Sequence, residues 1–157
     1  MNVQATIPEV DAGALLPGAQ FIDAYSVAVD GAALDARHAA EKMLLDGPRW
    51  IDALTSLRNG LVRPFGLKTP SHVRPLSTDT VGIFPVISEA PDRLVAGFDD
   101  SHLDFRVVVD VATAGEGQRV TVTTVVLTHN LLGRTYLAII LPFHRLIARA
   151  LLRQVAA

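Results

Sequence analysis

The stretch LDFRVVVDVATAGEGQRVTVTTVVLTHNLLGRTYLAIILPFHRLIARALLRQ, residues 103–154, decides the fold. From Leu103 to Val111 the side chains alternate. Leu103, Phe105, Val107, Val109 and Val111 fall on one face, and Asp104, Arg106 and Asp110 on the other. A two-residue period of this kind is a half-buried strand. Gly115-Glu116-Gly117 supplies a hairpin turn. Arg119 to Thr128, β-branched almost throughout, predicts the antiparallel partner. From Leu131 to about Gln154 the period becomes helical. Tyr136, Ile140, Phe143, Ile147 and Leu151 form one wall, and Arg134, Arg145, Arg149 and Arg153 line the opposite one. Burying the apolar wall against a sheet is what holds such a helix. Pro142 is the local conflict: it leaves the Ala138 carbonyl without its helical partner and predicts a kink.

Working back along the chain, Arg93–Phe98 and Val81–Ser88 read as strands joined by the turn Ala90-Pro91-Asp92, with Pro85 confined to an edge or irregularity. Residues 67–78 carry Pro70 and Pro75 and read as a loop. Asp35 can cap a helix running to about Leu45. Pro48 suits the first turn of a second helix, whose Trp50, Leu54, Leu57 and Leu61 make an apolar stripe. Phe21–Val29 reads as the first strand, closed by Asp30-Gly31. Residues 1–20 hold Pro8, Gly13, Pro17 and Gly18 and read as an irregular lead-in to a single domain over 21–157. No βαβ repeat is present, which disfavours a doubly wound sheet. The expected class is α+β: a curved antiparallel sheet wrapped around a long C-terminal helix, with two short helices after the first strand.

Composition narrows the function classes. The chain has 157 residues, 50% hydrophobic and 19% charged, with a formal net charge of -2. That suits one folded domain with its own core. The charge balance and the single Trp50 argue against a nucleic-acid partner. Cysteine is absent, which excludes disulfides, thiolate metal sites and thiol nucleophiles and fits a cytoplasmic protein. The N-terminus shows no basic region followed by an apolar run. The strongest apolar run, Leu137 to Phe143, falls short of the roughly 20 residues that span a bilayer, so no transmembrane segment is expected. The sequence has no glycine-rich nucleotide loop, no Gly-x-Ser-x-Gly elbow and no pair of histidines at helical zinc spacing. Neither cofactor nor metal is expected.

The segments His102-Leu103-Asp104-Phe105-Arg106, Thr123-Thr124-Val125-Val126, His129-Asn130-Leu131-Leu132-Gly133-Arg134-Thr135-Tyr136-Leu137 and Leu141-Pro142-Phe143-His144-Arg145 stand together with Leu57-Arg58-Asn59 and Phe65-Gly66-Leu67 upstream. In combination they resemble the DUF2867 family over most of the chain. The resemblance implies a helix-grip (SRPBCC) fold of the START and Bet v 1 type, which holds lipids or polyketides between the sheet and the last helix. It implies no catalytic residue.

On that reading the ligand-facing residues are Trp50, Phe105, His129, Tyr136, Ile140, Phe143, His144 and Ile147. Apolar area would supply affinity, and His129, Tyr136 or His144 would orient a hydroxyl or carbonyl. Each has a plainer role. His144 can serve a backbone carbonyl freed by Pro142, and His129 can end its strand while Asn130 caps the helix. Tyr136 and Trp50 can be core. His102 and Asp104 share the polar face of their strand, with Arg106 as an ion-pair partner. The arginine row can be a solvated face or can meet anionic lipid. Three functions stay open: a binding module for a small apolar molecule, a cofactor-independent acid–base enzyme of cyclase, dehydratase or hydrolase type, or an interaction protein forming a homodimer.

Overall fold

Consecutive antiparallel strands, each reached by a short turn, build the sheet in the computed structural model. It describes residues 3–8, 10, 12–30, 34–45, 80–81, 84–99 and 103–156. The elements are β1 (Gln4–Thr6), α1 (Ala12–Leu15), β2 (Phe21–Val29), α2 (Ala36–Leu45), β3 (Thr80–Val81), β4 (Phe84–Glu89), β5 (Arg93–Asp99), β6 (Leu103–Ala114), β7 (Gly117–Thr128) and α3 (Leu131–Ala156). Their order across the sheet is β1-β2-β7-β6-β5-β4-β3, antiparallel throughout. The protein is therefore α+β with a long C-terminal helix. The expected second helix from Pro48, the loop at 67–78, Trp50 and His102 lie outside the described residues.

The β6–β7 hairpin sets the register. Ala114 pairs with Gly117, leaving Gly115 and Glu116 at the corner. Gly115 has φ +61°, the positive first corner that a type II′ turn requires. Phe105 then stands beside Val126, Val107 beside Thr124, and Val109 beside Val122, all on one face. β2 continues the same face, with Phe21 beside Val126, Asp23 beside Thr124 and Tyr25 beside Val122. Helices α2 and α3 lie on this side.

Helix α2 begins where the sequence predicts. Asp35 Oδ1 accepts the His38 amide at 2.7 Å, and the Ala36 amide donates to the Pro91 carbonyl at 2.8 Å. Its inward residues are small. Ala36, Ala39 and Ala40 are fully buried, which lets the helix approach the sheet closely. The core joins them and Met43 to Val27, Val109, Val111, Val120 and Val122, and to Ala148, Leu152 and Val155 of α3. Lys42 Nζ donates to the Val155 carbonyl at 3.4 Å, tying α2 to the end of α3.

Helix α3 opens on Asn130, whose Oδ1 accepts the Gly133 amide at 2.9 Å. It runs on through Pro142. Ala138 and Pro142 both face solvent, so water can satisfy the carbonyl that proline leaves unpaired.

Two expectations are corrected. Val81–Ser88 is not one strand: β3 and β4 pair with each other, with Thr80 opposite Pro85 and Val81 opposite Phe84, and a register shift follows between Val86 and Ser88. Proline, lacking its N–H, sits where pairing is short and irregular. The lead-in is not wholly irregular, since β1 pairs with β2, α1 forms one turn and Leu16 is buried. Helix α3 has 26 residues and is long and apolar enough, by length and composition alone, to cross a membrane. The short run Leu137–Phe143 understates it because the arginines, Thr135, His144 and Gln154 break a longer helix that is apolar on average. In this fold the end of α3 is core, with Leu152 and Val155 buried.

Candidate functional site

The polar pair on the helix-covered face is Asp23 and His144. Along β2 the residues Phe21, Asp23, Tyr25, Val27 and Val29 share one face by alternation, so an acid sits in an otherwise apolar or aromatic row. His144 reaches it from α3, with Nε2 3.3 Å from Asp23 Oδ1. Both side chains are about four-fifths buried, at 19% and 20% exposure. The Phe21 ring meets the imidazole edge to face, with centroids 6.0 Å apart and planes at 82°. One helical turn further on, the Arg149 guanidinium lies 5.3 Å from the centre of the Tyr25 ring. Helix α3 therefore tracks β2, His144 over its start and Arg149 over its middle.

The pair leaves a polar atom unanswered. Asp23 Oδ2 is buried and has no hydrogen-bond partner among the described residues. Thr128 Oγ1, at the end of β7 on the same face, is in the same condition. A buried carboxylate oxygen without a donor is costly, and a hydroxyl or amine would satisfy it. An ionised Asp23 requires His144 to present Nε2–H to it, which turns Nδ1 into an acceptor while the ring is neutral.

Other expected site residues fall around this pair in different ways. Phe105 is half-buried beside the core, and Tyr136, Ile140 and Ile147 of α3 are half-buried. The inward wall is corrected at Phe143, which is 48% exposed and turned away from the sheet. Its helical angle lies at the margin of the apolar wall, and α3 is rotated so that this margin faces outward.

The histidines do not converge. His129 Nε2 stands 2.9 Å from Asp104 Oδ1, on the opposite face of the sheet from His144. Asp104 Oδ1 has no aligned hydrogen-bond donor among the described residues. His144 also takes a carboxylate in place of a carbonyl freed by Pro142. Arg106 pairs with Asp99 at 2.8 Å across β5 and β6, on the outer face, so it has no part in a site beneath α3. Among the described residues no group of three or more histidines and acids stands close enough to hold a metal ion.

Asp23 and Phe21 were the missed residues. The signal was available: Phe21, Asp23, Tyr25, Val27 and Val29 alternate with Ile22, Ala24, Ser26 and Ala28, so an acid on the aromatic side of the first strand marks a buried carboxylate.

These features define an antiparallel α+β protein whose long last helix sets a histidine against a carboxylate on the first long strand. The chain belongs to the family described as protein of unknown function (DUF2867), whose model matches residues 15–151. None of the curated proteins matches it.

Proposed function

We propose that this protein is a binding module of the helix-grip kind, holding a small molecule with an apolar body and a hydrogen-bonding group between the sheet and the first half of α3. The observation that carries the reading is the buried Asp23–His144 pair with Asp23 Oδ2 unanswered. A ligand hydroxyl donating to that oxygen, with its apolar part against Phe105, Tyr136, Ile140 and Ile147, would complete the set. The element order supports the fold assignment: a first long strand, helix, an antiparallel run returning beside that strand, then a long helix on one face. Half-burial of Tyr136, Ile140 and Ile147 supports a ligand in that place.

The same pair favours one second reading. A carboxylate that orients an imidazole makes it a general base, so an acid–base enzyme acting on the same ligand class would use His144 to move a proton, with Asp23 as its positioning residue. Native mass spectrometry of the protein purified from its source cells tests the binding reading. The expected result is a stoichiometric small molecule in the native spectrum that is lost in Asp23→Asn. An apo mass for the wild-type chain, with unchanged recovery of protein, counts against it. Loss of turnover of the identified molecule in His144→Gln with binding retained would select the enzyme.

A further inference from the structure

We propose that the outward face of the first half of α3 docks on an anionic lipid bilayer. From Leu131 to Leu146 the helix turns large apolar side chains to solvent: Leu132 is 39% exposed, Ile139 64%, Phe143 48% and Leu146 53%. At about 100° per residue these four fall within about 60° of one another around the axis. Arg153 stands next to this strip, Arg149 lies about a quarter turn away against Tyr25, and Arg145 and Arg134 lie further round the exposed side of the helix. The result is a helix lying against its own protein on one side and presenting an apolar strip on the other, with arginines along one flank and Arg153 nearest the strip. That is the composition of a helix that lies in a membrane interface, side chains among the acyl chains and guanidinium groups among the phosphates.

Charge selects the occupant. Between Asn130 and Ala157 there are four arginines and no acid, whereas residues 1–129 hold the remaining ten basic and all sixteen acidic side chains. An anionic surface therefore attracts α3 and repels the body, which both binds and orients the chain. Arg134, Arg145 and Arg153 have no carboxylate partner among the described residues, and Arg149 lies against Tyr25. An antiparallel two-fold dimer through the same strip would set each arginine row beside its own symmetry mate, an arrangement that charge opposes. This face is separate from the Asp23–His144 pair, so the two proposals stand or fall independently.

The test is co-sedimentation of the full chain with vesicles of phosphatidylcholine containing phosphatidylglycerol, beside vesicles of phosphatidylcholine alone. The chain is expected to pellet with the mixed vesicles, weakly with the neutral ones, and less as salt rises. Ile139→Ser/Leu146→Ser, at two exposed positions, should weaken binding by at least about tenfold. Arg145→Gln/Arg153→Gln leaves the apolar strip intact and should weaken it about fivefold per arginine. Equal binding to both vesicle types, or binding to neither, overturns the proposal. Concentration-dependent dimerisation in sedimentation velocity, abolished by the serine pair and with no vesicle binding, would assign the strip to a second copy instead. Ligand retention by native mass spectrometry should be the same in all these variants and the wild type.

Discussion

Between Leu131 and Phe143, α3 buries a single residue, Gly133, whereas between Ala148 and Val155 it buries Ala148, Ala150, Leu152 and Val155. The two segments draw on the same main residue types, leucine, alanine and arginine. They differ in what stands opposite. The second half meets the alanine face of α2 and the valines of β2 and β7, and it joins the core with them. The first half lies beyond that alanine face and keeps Tyr136 and Ile140 half-buried. Periodicity tells that a helix has an apolar side; a neighbour of the right shape decides which part of that side becomes core.

The comparison breaks most sharply on a pair of leucine truncations. Leu152→Ala removes a fully buried side chain from the α2–α3 contact and should cost about 2–5 kcal/mol. Leu146→Ala, little more than one turn and a half earlier, touches an exposed side chain and should change stability by less than about 0.5 kcal/mol. Urea unfolding of both variants reads the difference. Similar costs would mean that the first half is packed as tightly as the second.

The boundary between the halves is His144. His144→Ala leaves Asp23 buried without its partner and should cost about 1–3 kcal/mol. Replacing both residues by leucine should cost less than the single change, because no orphaned charge is left. A double variant no better than the single would show that the pair contributes nothing beyond its packing. At the other end, Asn130→Ala removes the cap and should cost about 1 kcal/mol. Amide exchange should quicken over the first turns after Leu131 and stay slow over 148–155. An effect spread evenly along α3 would erase the division.

Much of the frame was legible because its signals are local. Phe21–Val29 is a strand with the predicted bounds, Asp35 caps α2, and the alternation from Leu103 to Val111 finds the helix-covered face of β6, although Val108 on the other face is fully buried as well. Each of these depends on a few neighbouring residues. The site was legible only in part. His144 could be placed near the inward wall, but its partner Asp23 lies 121 residues away and emerges only when β2 is set beside β7. The grouping of His129 with His144 failed for the same reason, since the two reach opposite faces of one sheet. Phe143 failed because a helix wall has a margin, and the rotation of α3 about its axis is set by α2 and the sheet, not by the helix's own sequence.

The smallest predicted effect concerns the element that holds the anchored half. The His38 amide on Asp35, helped by the His38 side chain nearby, keeps the Asp35 carboxyl below its ordinary value of 3.8. A lowered carboxylate pKa means that the native state favours the ionised form. The cap therefore contributes its full stability above the unfolded value of 3.8 and loses it as the pH falls through the lower native one. Asparagine caps a helix about as well as aspartate but does not titrate. Asp35→Asn should thus match the wild type at neutral pH to within a few tenths of a kcal/mol and show a shallower loss of stability below 3.8. Since α2 rests on Ala148, Leu152 and Val155, the acid-induced loosening of the wild type should appear as faster amide exchange over those residues. It should leave Leu131–Phe143, which has no such support to lose, unchanged. Acid loosening confined to the first half would reverse the assignment of which half α2 holds.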